Sequence, residues 1–239
     1  MPLHQSDSII LKTYPLGEAD RIVVFFSRDF GKVRGVANGA RRMKNRFGAS
    51  LEPLAHSRLM FFEKENRELV RIQSAELLDS PMGLFADYDR AVFAAQLVEL
   101  LDKFLPEHQP HDAVYRLARM TLEAIGRNCP LNAAACYFEV WMLRLAGMFP
   151  DLFMCSVCMR NIEAGEDRHL AIGLQAVICS SCEHRDGIAM HPEVPVVLHW
   201  ILRNRLEGEM VKGILGGLEK GTRNLHELNQ YWIRHYLER

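Results

Sequence analysis

The sequence predicts a mixed α+β chain: a small five-stranded β-barrel followed by a helical domain that carries a four-cysteine insertion. Three observations predict it. Short runs rich in Val, Ile and Phe, separated by turn residues, occupy the chain through Ser80. Beyond that point apolar residues recur at three and four instead of two. Four of the six cysteines form two C-x2-C pairs. With 239 residues, 49% hydrophobic and 25% charged, the chain has room for one large soluble domain or two modest ones, and the change of period favours two.

The strands are expected at Ser8–Tyr14, Arg21–Ser27, Lys32–Ala37, Ser57–Lys64 and Glu68–Leu78. Pro15-Leu16-Gly17 and Asp29-Phe30-Gly31 separate the first three, each with the glycine a tight turn commonly needs, and Glu65-Asn66-Arg67 suits a hairpin turn. Five short strands in this span fit an OB-type barrel, with an SH3-like barrel as the competing arrangement. Pro81-Met82-Gly83 marks the boundary, so residues 1–80 form the predicted barrel and 81–239 the predicted helical domain.

In the second part Phe93, Leu97, Leu100, Leu101 and Phe104 lie on one helical face, closed by Pro106 and Pro110. A second helix runs to Ile125 before Cys129-Pro130, and a third ends at Gly147, the residue type favoured just past a helix. The runs VPVVLHWILRNRL and NLHELNQYWIRHYLE are again helical. Between the third helix and this last pair, over 150–190, Cys155, Cys158, Cys179 and Cys182 form C-x2-C-x20-C-x2-C.

Two residues between thiolates let both sulfurs face one ion, and two such knuckles complete the tetrahedron that Zn2+ prefers. The intervening HLAIGLQAVI alternates as a hairpin returning the second knuckle to the first. A single structural Zn2+ is therefore expected, with a redox or unligated set as the alternative. Four thiolates close the coordination shell and leave no position for an activated water, so a staple for a loop-rich insertion is favoured over direct nucleic-acid contact. His169, His184 and His191 lie close enough in sequence to replace a cysteine, though surface or supporting roles suit them better. Cys129 and Cys136 read as buried thiols.

Charge is nearly balanced overall, at −1, but not locally. Through Ser80 there are 13 Lys/Arg against 10 Asp/Glu, and GKVRGVANGARRMKNRFG holds Lys32, Arg34, Arg41, Arg42, Lys44 and Arg46 with no acid. Such a segment creates a strong local potential on a neutral chain, and phosphate contacts that release counterions are its natural use. A solvated surface loop is the alternative. Stacking rings are sought among Phe25, Phe26, Phe47, Phe61 and Phe62. Alternation buries most of them, leaving Phe47, beside Arg46, as the expected exposed ring.

Catalytic patterns are missing. GGLEKGT, Gly216 to Thr222, has P-loop-like glycines but lacks the following lysine and a preceding strand. Neither G-x-S-x-G nor H-E-x-x-H occurs. The opening MPLHQSDS has no basic and apolar export signal, and no run of about 18 apolar residues is present. Spaced cysteines then point to a reducing compartment, and the expected location is the cytoplasm.

The order SIILKTYPLGEADRIVVFFSRDFGKVRGVANGARR, then LEPL, then helices interrupted by paired cysteines, resembles the bacterial RecO family of recombination mediators, most strongly over Ile9 to Leu54. The resemblance implies an OB-fold that binds single- and double-stranded DNA and a helical domain with a zinc ribbon. It also implies a DNA repair protein that is not an enzyme and associates with the nucleoid. Such a protein anneals complementary strands, including strands coated by single-stranded DNA-binding protein (SSB), and helps load RecA. RecR, in some lineages RecF, and the SSB C-terminal tail are the implied partners. The G-K and G-A-R-R elements fall at Lys32, Arg41 and Arg42, and the family's cysteines at Cys155, Cys158, Cys179 and Cys182. One departure is that Met159 and Glu183 follow the knuckles where glycine is common. Two other classes stay open: a zinc-stapled interaction scaffold with weak DNA contact, and a phosphate-ester enzyme that uses the basic loop as a clamp.

Overall fold

The structure is a computed structural model that describes residues 2–63, 68–85, 87–163, 165–172, 174, 176–182, 187–206, 211 and 217–237. The expected turn at Glu65-Asn66-Arg67, His184, Glu183 and the start of GGLEKGT lie outside the described residues. Two compact units are present, Met1–Gly126 and Arg127–Arg239.

The first unit opens with β1 (Leu3–Leu16), β2 (Asp20–Ser27), β3 (Gly31–Ala37), β4 (His56–Phe62) and β5 (Val70–Asp79). They close into a barrel in the order β1-β2-β3-β5-β4. β3 and β5 pair in parallel and the other neighbours antiparallel, the Greek-key arrangement of an OB-type barrel. β1 is longer than the sequence pattern suggests because it serves two partners. Leu3 to Ile9 pair with β4 and Ser8 to Leu16 with β2, the register shifting at Ile10/Lys12. Its polar first half holds buried hydroxyls that find partners: Ser6 Oγ donates to Asp29 Oδ2 at 2.6 Å and accepts from Ser27 Oγ at 2.9 Å. Inside, Ile10, Val23, Phe25, Val33, Leu59, Phe61 and Ile72 form the core.

Ile9, Val24 and Phe26, outside that inner cluster, are buried as well. The ring of Phe26 packs edge-on against Tyr115, centroids 5.6 Å apart. Tyr115 belongs to α2 (Asp112–Gly126), which with α1 (Tyr88–Phe104) completes the first unit. The change from strand to helix thus falls near residue 80, while the compact unit continues to Gly126. Gly31 is needed where α2's approach loop meets the barrel. It has φ 72°, and an added Cβ would sit 2.3 Å from the Gln109 carbonyl oxygen.

A charged clamp fixes α1. Asp102 accepts from Lys12 Nζ at 2.8 Å and from Lys32 Nζ at 3.2 Å, and Lys32 also donates to the Asp102 carbonyl at 2.5 Å. Lys32 is therefore buried, 7% exposed, and structural, not the exposed cation its place in the basic segment suggested. Burial alone would raise the Asp102 pKa, but hydrogen bonds from Lys12 and Lys32 outweigh it and hold the carboxyl below its ordinary 3.8. The bond to Asp102 raises Lys12 above 10.5.

The second unit contains α3 (Leu131–Leu145), the sheet β7-β6-β8 built from β6 (Arg168–Ala171), β7 (Ala176–Cys179) and β8 (Gly187–Ala189), α4 (Val194–Arg203) and α5 (Glu219–Leu237). β6 and β7 form the hairpin expected between the knuckles, with Arg168 opposite Cys179. α5 packs on α3. There Glu139, 2% exposed, accepts from Gln230 Nε2 and pairs with His226 Nδ1 at 2.8 Å. No helix among the described residues is long and apolar enough to cross a membrane.

Two predictions follow from these charges. Asp102→Asn leaves the buried Lys32 ammonium without its carboxylate and should cost about 2–3 kcal/mol in urea unfolding at neutral pH. A group with a lowered folded pKa stabilises above its unfolded pKa, so the gap between wild type and variant should close as pH falls through and below 3.8. The bond to Glu139 raises His226 above 6.5 against the opposing effect of burial, so its contribution is complete below 6.5 and lost as pH rises through the raised value. Melting of the second unit should weaken by roughly 1 kcal/mol across that window, and His226→Gln should remove this pH dependence.

Candidate nucleic-acid interface and metal centre

The basic loop leaves β3 at Ala37 and is pinned to the β1–β2 turn. The Gly39 N–H donates to Asp20 Oδ1 at 2.7 Å, the Arg41 N–H to the Ala19 carbonyl at 2.9 Å, and Arg41 Nη1 to the Gly17 carbonyl at 2.6 Å. Gly39 reverses the chain with φ 74°. Further on, Asn45 Oδ1 accepts from the Phe47 and Gly48 N–H groups at 3.0 and 2.9 Å, and its amide donates to the Arg42 carbonyl at 3.1 Å. This organises the short 3-10 turn Gly48–Leu51, whose Leu51 enters the barrel core.

The loop is therefore a backbone-anchored platform. Arg41, Arg42, Lys44 and Arg46 are exposed on it, and Met43 stands fully in solvent. Among the described residues none of the four cations forms an ion pair. Two nearby acids are committed elsewhere: Asp20 to the Gly39 N–H, and Glu52 to Arg21 at 3.0 Å. Arg34 behaves differently, pairing with Glu107 at 2.7 Å with half its side chain exposed.

Phe47 is not the exposed ring its place in the loop suggested. It is 4% exposed and part of the barrel core, with the Arg46 guanidinium carbon 4.8 Å from its ring centroid. Its apolar surface is worth more inside the barrel mouth than in a polar loop. Phe25, Phe26 and Phe61 are buried too, and Phe62 is half-buried. An exposed ring on the barrel strands that the sequence reading missed is Tyr14, 48% exposed. Strand register puts Tyr14 opposite Ile22, Ile22 opposite Val36, and Val36 opposite Arg71. These four form one outward row across β1, β2, β3 and β5, next to Arg34. The signal was the strand alternation itself, hidden by the irregularity between Ile10 and Lys12.

The second site is the cysteine set. The four Sγ atoms of Cys155, Cys158, Cys179 and Cys182 lie within 4.8 Å of one another and could hold a metal ion. Cys158 and Cys179 sulfurs are 3.9 Å apart, far beyond a disulfide bond and close to the ~3.8 Å edge of a four-thiolate tetrahedron. Burial would raise the Cys155 thiol, but backbone N–H groups of Cys158, Cys179 and Val157 bring it down to about 6. Cys182, bonded to the sulfurs of Cys158 and Cys179, is pushed up to about 12. Four thiols this close cannot all ionise without a cation among them. Neither His169, in β6, nor His191 belongs to the group; His191 Nδ1 accepts from the Glu193 N–H at 3.3 Å beside the start of α4.

Met159 follows the first knuckle at φ 58°, so the left-handed turn that glycine usually provides is kept by a methionine, and its N–H donates to the Cys155 carbonyl at 2.8 Å. Arg168 organises the surrounding chain. Its guanidinium is 5% exposed and donates to the carbonyls of Leu152, Ile162, Glu163 and Glu166 at 3.0–3.2 Å. One buried cation thus satisfies four loop carbonyls that would otherwise lose water without replacement. Nothing in the cysteine spacing marks this arginine.

Two family models match the chain: Recombination protein O N terminal over residues 1–81 and Recombination protein O C terminal over 86–239. The chain belongs to the RecO family. It is 42% identical to the DNA repair protein RecO of Koribacter versatilis (strain Ellin345) over 163 residues, 67% of this chain and 66% of that one. It is 32% identical to that of Bifidobacterium adolescentis over 249 residues, 100% of this chain and 96% of the relative. With RecO of Geobacter metallireducens it shares 32% over 195 residues, 81% and 78% of the two chains. The RecO match spans both units, so the barrel and the cysteine-bearing unit belong to one family architecture.

Arg168→Met should break the metal centre without touching a thiol. Metal retention after gel filtration against a chelator should fall at least about tenfold, because four unsatisfied carbonyls disperse the knuckles. Met159→Gly, at an exposed position with positive φ, should leave retention unchanged and raise stability by up to about 1 kcal/mol.

Proposed function

We propose that this RecO-family chain acts in DNA repair and recombination by holding DNA through the Arg41, Arg42, Lys44 and Arg46 platform. The observation that carries this reading is that these four cations are exposed and, among the described residues, have no carboxylate partner, on a loop tied to the β1–β2 turn. Each phosphate they neutralise releases counterions, giving affinity without sequence preference. The Tyr14 row beside them offers a ring on which a base of a single strand can stack, a contact worth ~1–3 kcal/mol per base. Lys32 and Phe47 have no direct part, and Arg34 contributes only by exchanging Glu107 for phosphate.

The finer role follows the family. The chain anneals complementary strands, including strands coated by SSB, and assists RecA loading together with RecR, with RecF as a lineage-dependent partner and the SSB tail as a contact. A locally cationic surface on a chain of net charge −1 suits annealing, which needs contact followed by release. Pairing screened strands is downhill, so no nucleotide is consumed and no enzymatic step is assigned. The metal is Zn2+, held by Cys155, Cys158, Cys179 and Cys182 in a closed shell. What it supplies is folding energy for the loop-rich segment around Arg168.

Replacing Arg41, Arg42, Lys44 and Arg46 with Ala should weaken binding to single strands and flatten the log–log salt slope by about 0.7 per lost phosphate contact, with the fold retained. Tyr14→Ala should weaken single-strand binding by ~1–3 kcal/mol and duplex binding much less. The role itself is tested by the nucleotide-free rate at which the protein pairs labelled complementary strands precoated with SSB. Acceleration by wild type, lost in the four-fold variant, is expected; no acceleration by folded, metal-loaded protein would leave only DNA association.

A further inference from the structure

Away from the basic loop, the first unit exposes a run of large apolar side chains. Met82 is 79% exposed, Phe85 53%, Tyr88 82% and Val92 38%, with Leu77 and Leu78 just before them at 40% and 37%. The local fold explains the exposure. In the 3-10 turn Pro81–Leu84, Leu84 is buried at 5%, and the turn packs against α1 and α2. With Leu84 committed inward, Met82 and Phe85 are left outside. Phe93, Leu97 and Leu101 form the buried side of α1, which leaves Tyr88 and Val92, one turn apart, on its solvent side.

Scattered exposed apolar residues need no explanation, but six large ones between Leu77 and Val92, four of them on the Pro81–Leu84 turn and the start of α1, do. Its surroundings are acidic: Glu76, Asp79, Asp87 and Asp89 are exposed, and Arg90 is the sole cation between residues 76 and 92. Nucleic acid is repelled from such a face. Like the basic loop it is a concentrated charge on a neutral chain, but of opposite sign.

We propose that this face is a protein-docking surface, and that its occupant is a partner segment in which apolar side chains alternate with lysine or arginine. Met82, Phe85 and Tyr88 supply the anchors at the centre, and the four carboxylates form a rim that selects a cationic partner and sets its approach rate. Because the surface repels DNA, a partner can stay docked there while the Arg41–Arg46 loop holds a strand. The inference does not depend on what the loop binds.

The test uses the full chain and a labelled synthetic peptide of alternating Leu and Lys, followed by fluorescence anisotropy, with Leu/Glu and Ser/Lys peptides as controls. Binding by the Leu/Lys peptide alone is expected, weakened by salt. Met82→Ser, Phe85→Ser and Tyr88→Ser together should weaken it by at least about tenfold. Glu76→Gln, Asp79→Asn, Asp87→Asn and Asp89→Asn should do the same while preserving the fold, because asparagine keeps the helix cap that Asp87 provides at 2.8 Å to the Asp89 N–H. DNA affinity should be unchanged in both variants. Equal binding of the Leu/Glu peptide, or undiminished binding by the charge variant, would overturn the proposal. So would loss of DNA binding in the same variants. Salt-sensitive self-association through Arg41–Arg46, abolished by the Met82, Phe85 and Tyr88 changes, would assign the face to a second copy and overturn it too.

Discussion

Two lysines on one carboxylate hold the first unit together. Asp102 reaches from α1 to Lys12 of β1 and Lys32 of β3, so a single side chain fastens the helix to two strands of the barrel. Burying the Lys32 ammonium is unfavourable by itself and is offset only while Asp102 is ionised and in place. Helix α1 packs on β1, and α2 sets Tyr115 against Phe26 on the outside of the barrel. The barrel is thus closed by its strands and sealed by a charge. Because Lys32 is used this way, the cationic segment divides into members that build the fold and members left for a ligand.

The second unit meets the same problem of polar groups out of water with a different device. In its loop-rich stretch the carbonyls converge on Arg168 while the thiols converge on one point. The guanidinium fixes the loops that carry the knuckles, and a metal ion held among the sulfurs would permit all four to ionise. Met159 in a left-handed turn is a small strain that this arrangement tolerates.

Periodicity and turn chemistry made much of this architecture legible. Four of the five predicted strands lie within about two residues of their observed limits, the knuckle hairpin forms where alternation placed it, and the four thiols converge as their spacing required. β1 was read short because its first half is serine-rich, and those hydroxyls are satisfied within the fold, Ser6 Oγ by Asp29 and Ser8 Oγ by the Ser6 carbonyl, which a hydrophobic pattern cannot register. Lys32 and Phe47 were misplaced because composition treats a cationic stretch as uniform. Whether a lysine points into a junction or a phenylalanine into a barrel mouth depends on distant residues, Asp102 in one case and the core around Leu51 in the other. Tyr14 and Arg71 come to share one outward row only through strand register, and Arg168 acquires its role only when four separate carbonyls close around it. β8 was not foreseen either, since its three residues carry no period.

The central claim is that Arg41, Arg42, Lys44 and Arg46 meet DNA while Lys32 does not. The most direct measurement is residue-resolved chemical modification of lysine and arginine, read by mass spectrometry with and without a single-stranded oligonucleotide. The account predicts that Arg41, Arg42, Lys44 and Arg46 react freely alone and are protected by DNA, with Lys32 unreactive in both conditions. Loop cations equally reactive with and without bound DNA would contradict it.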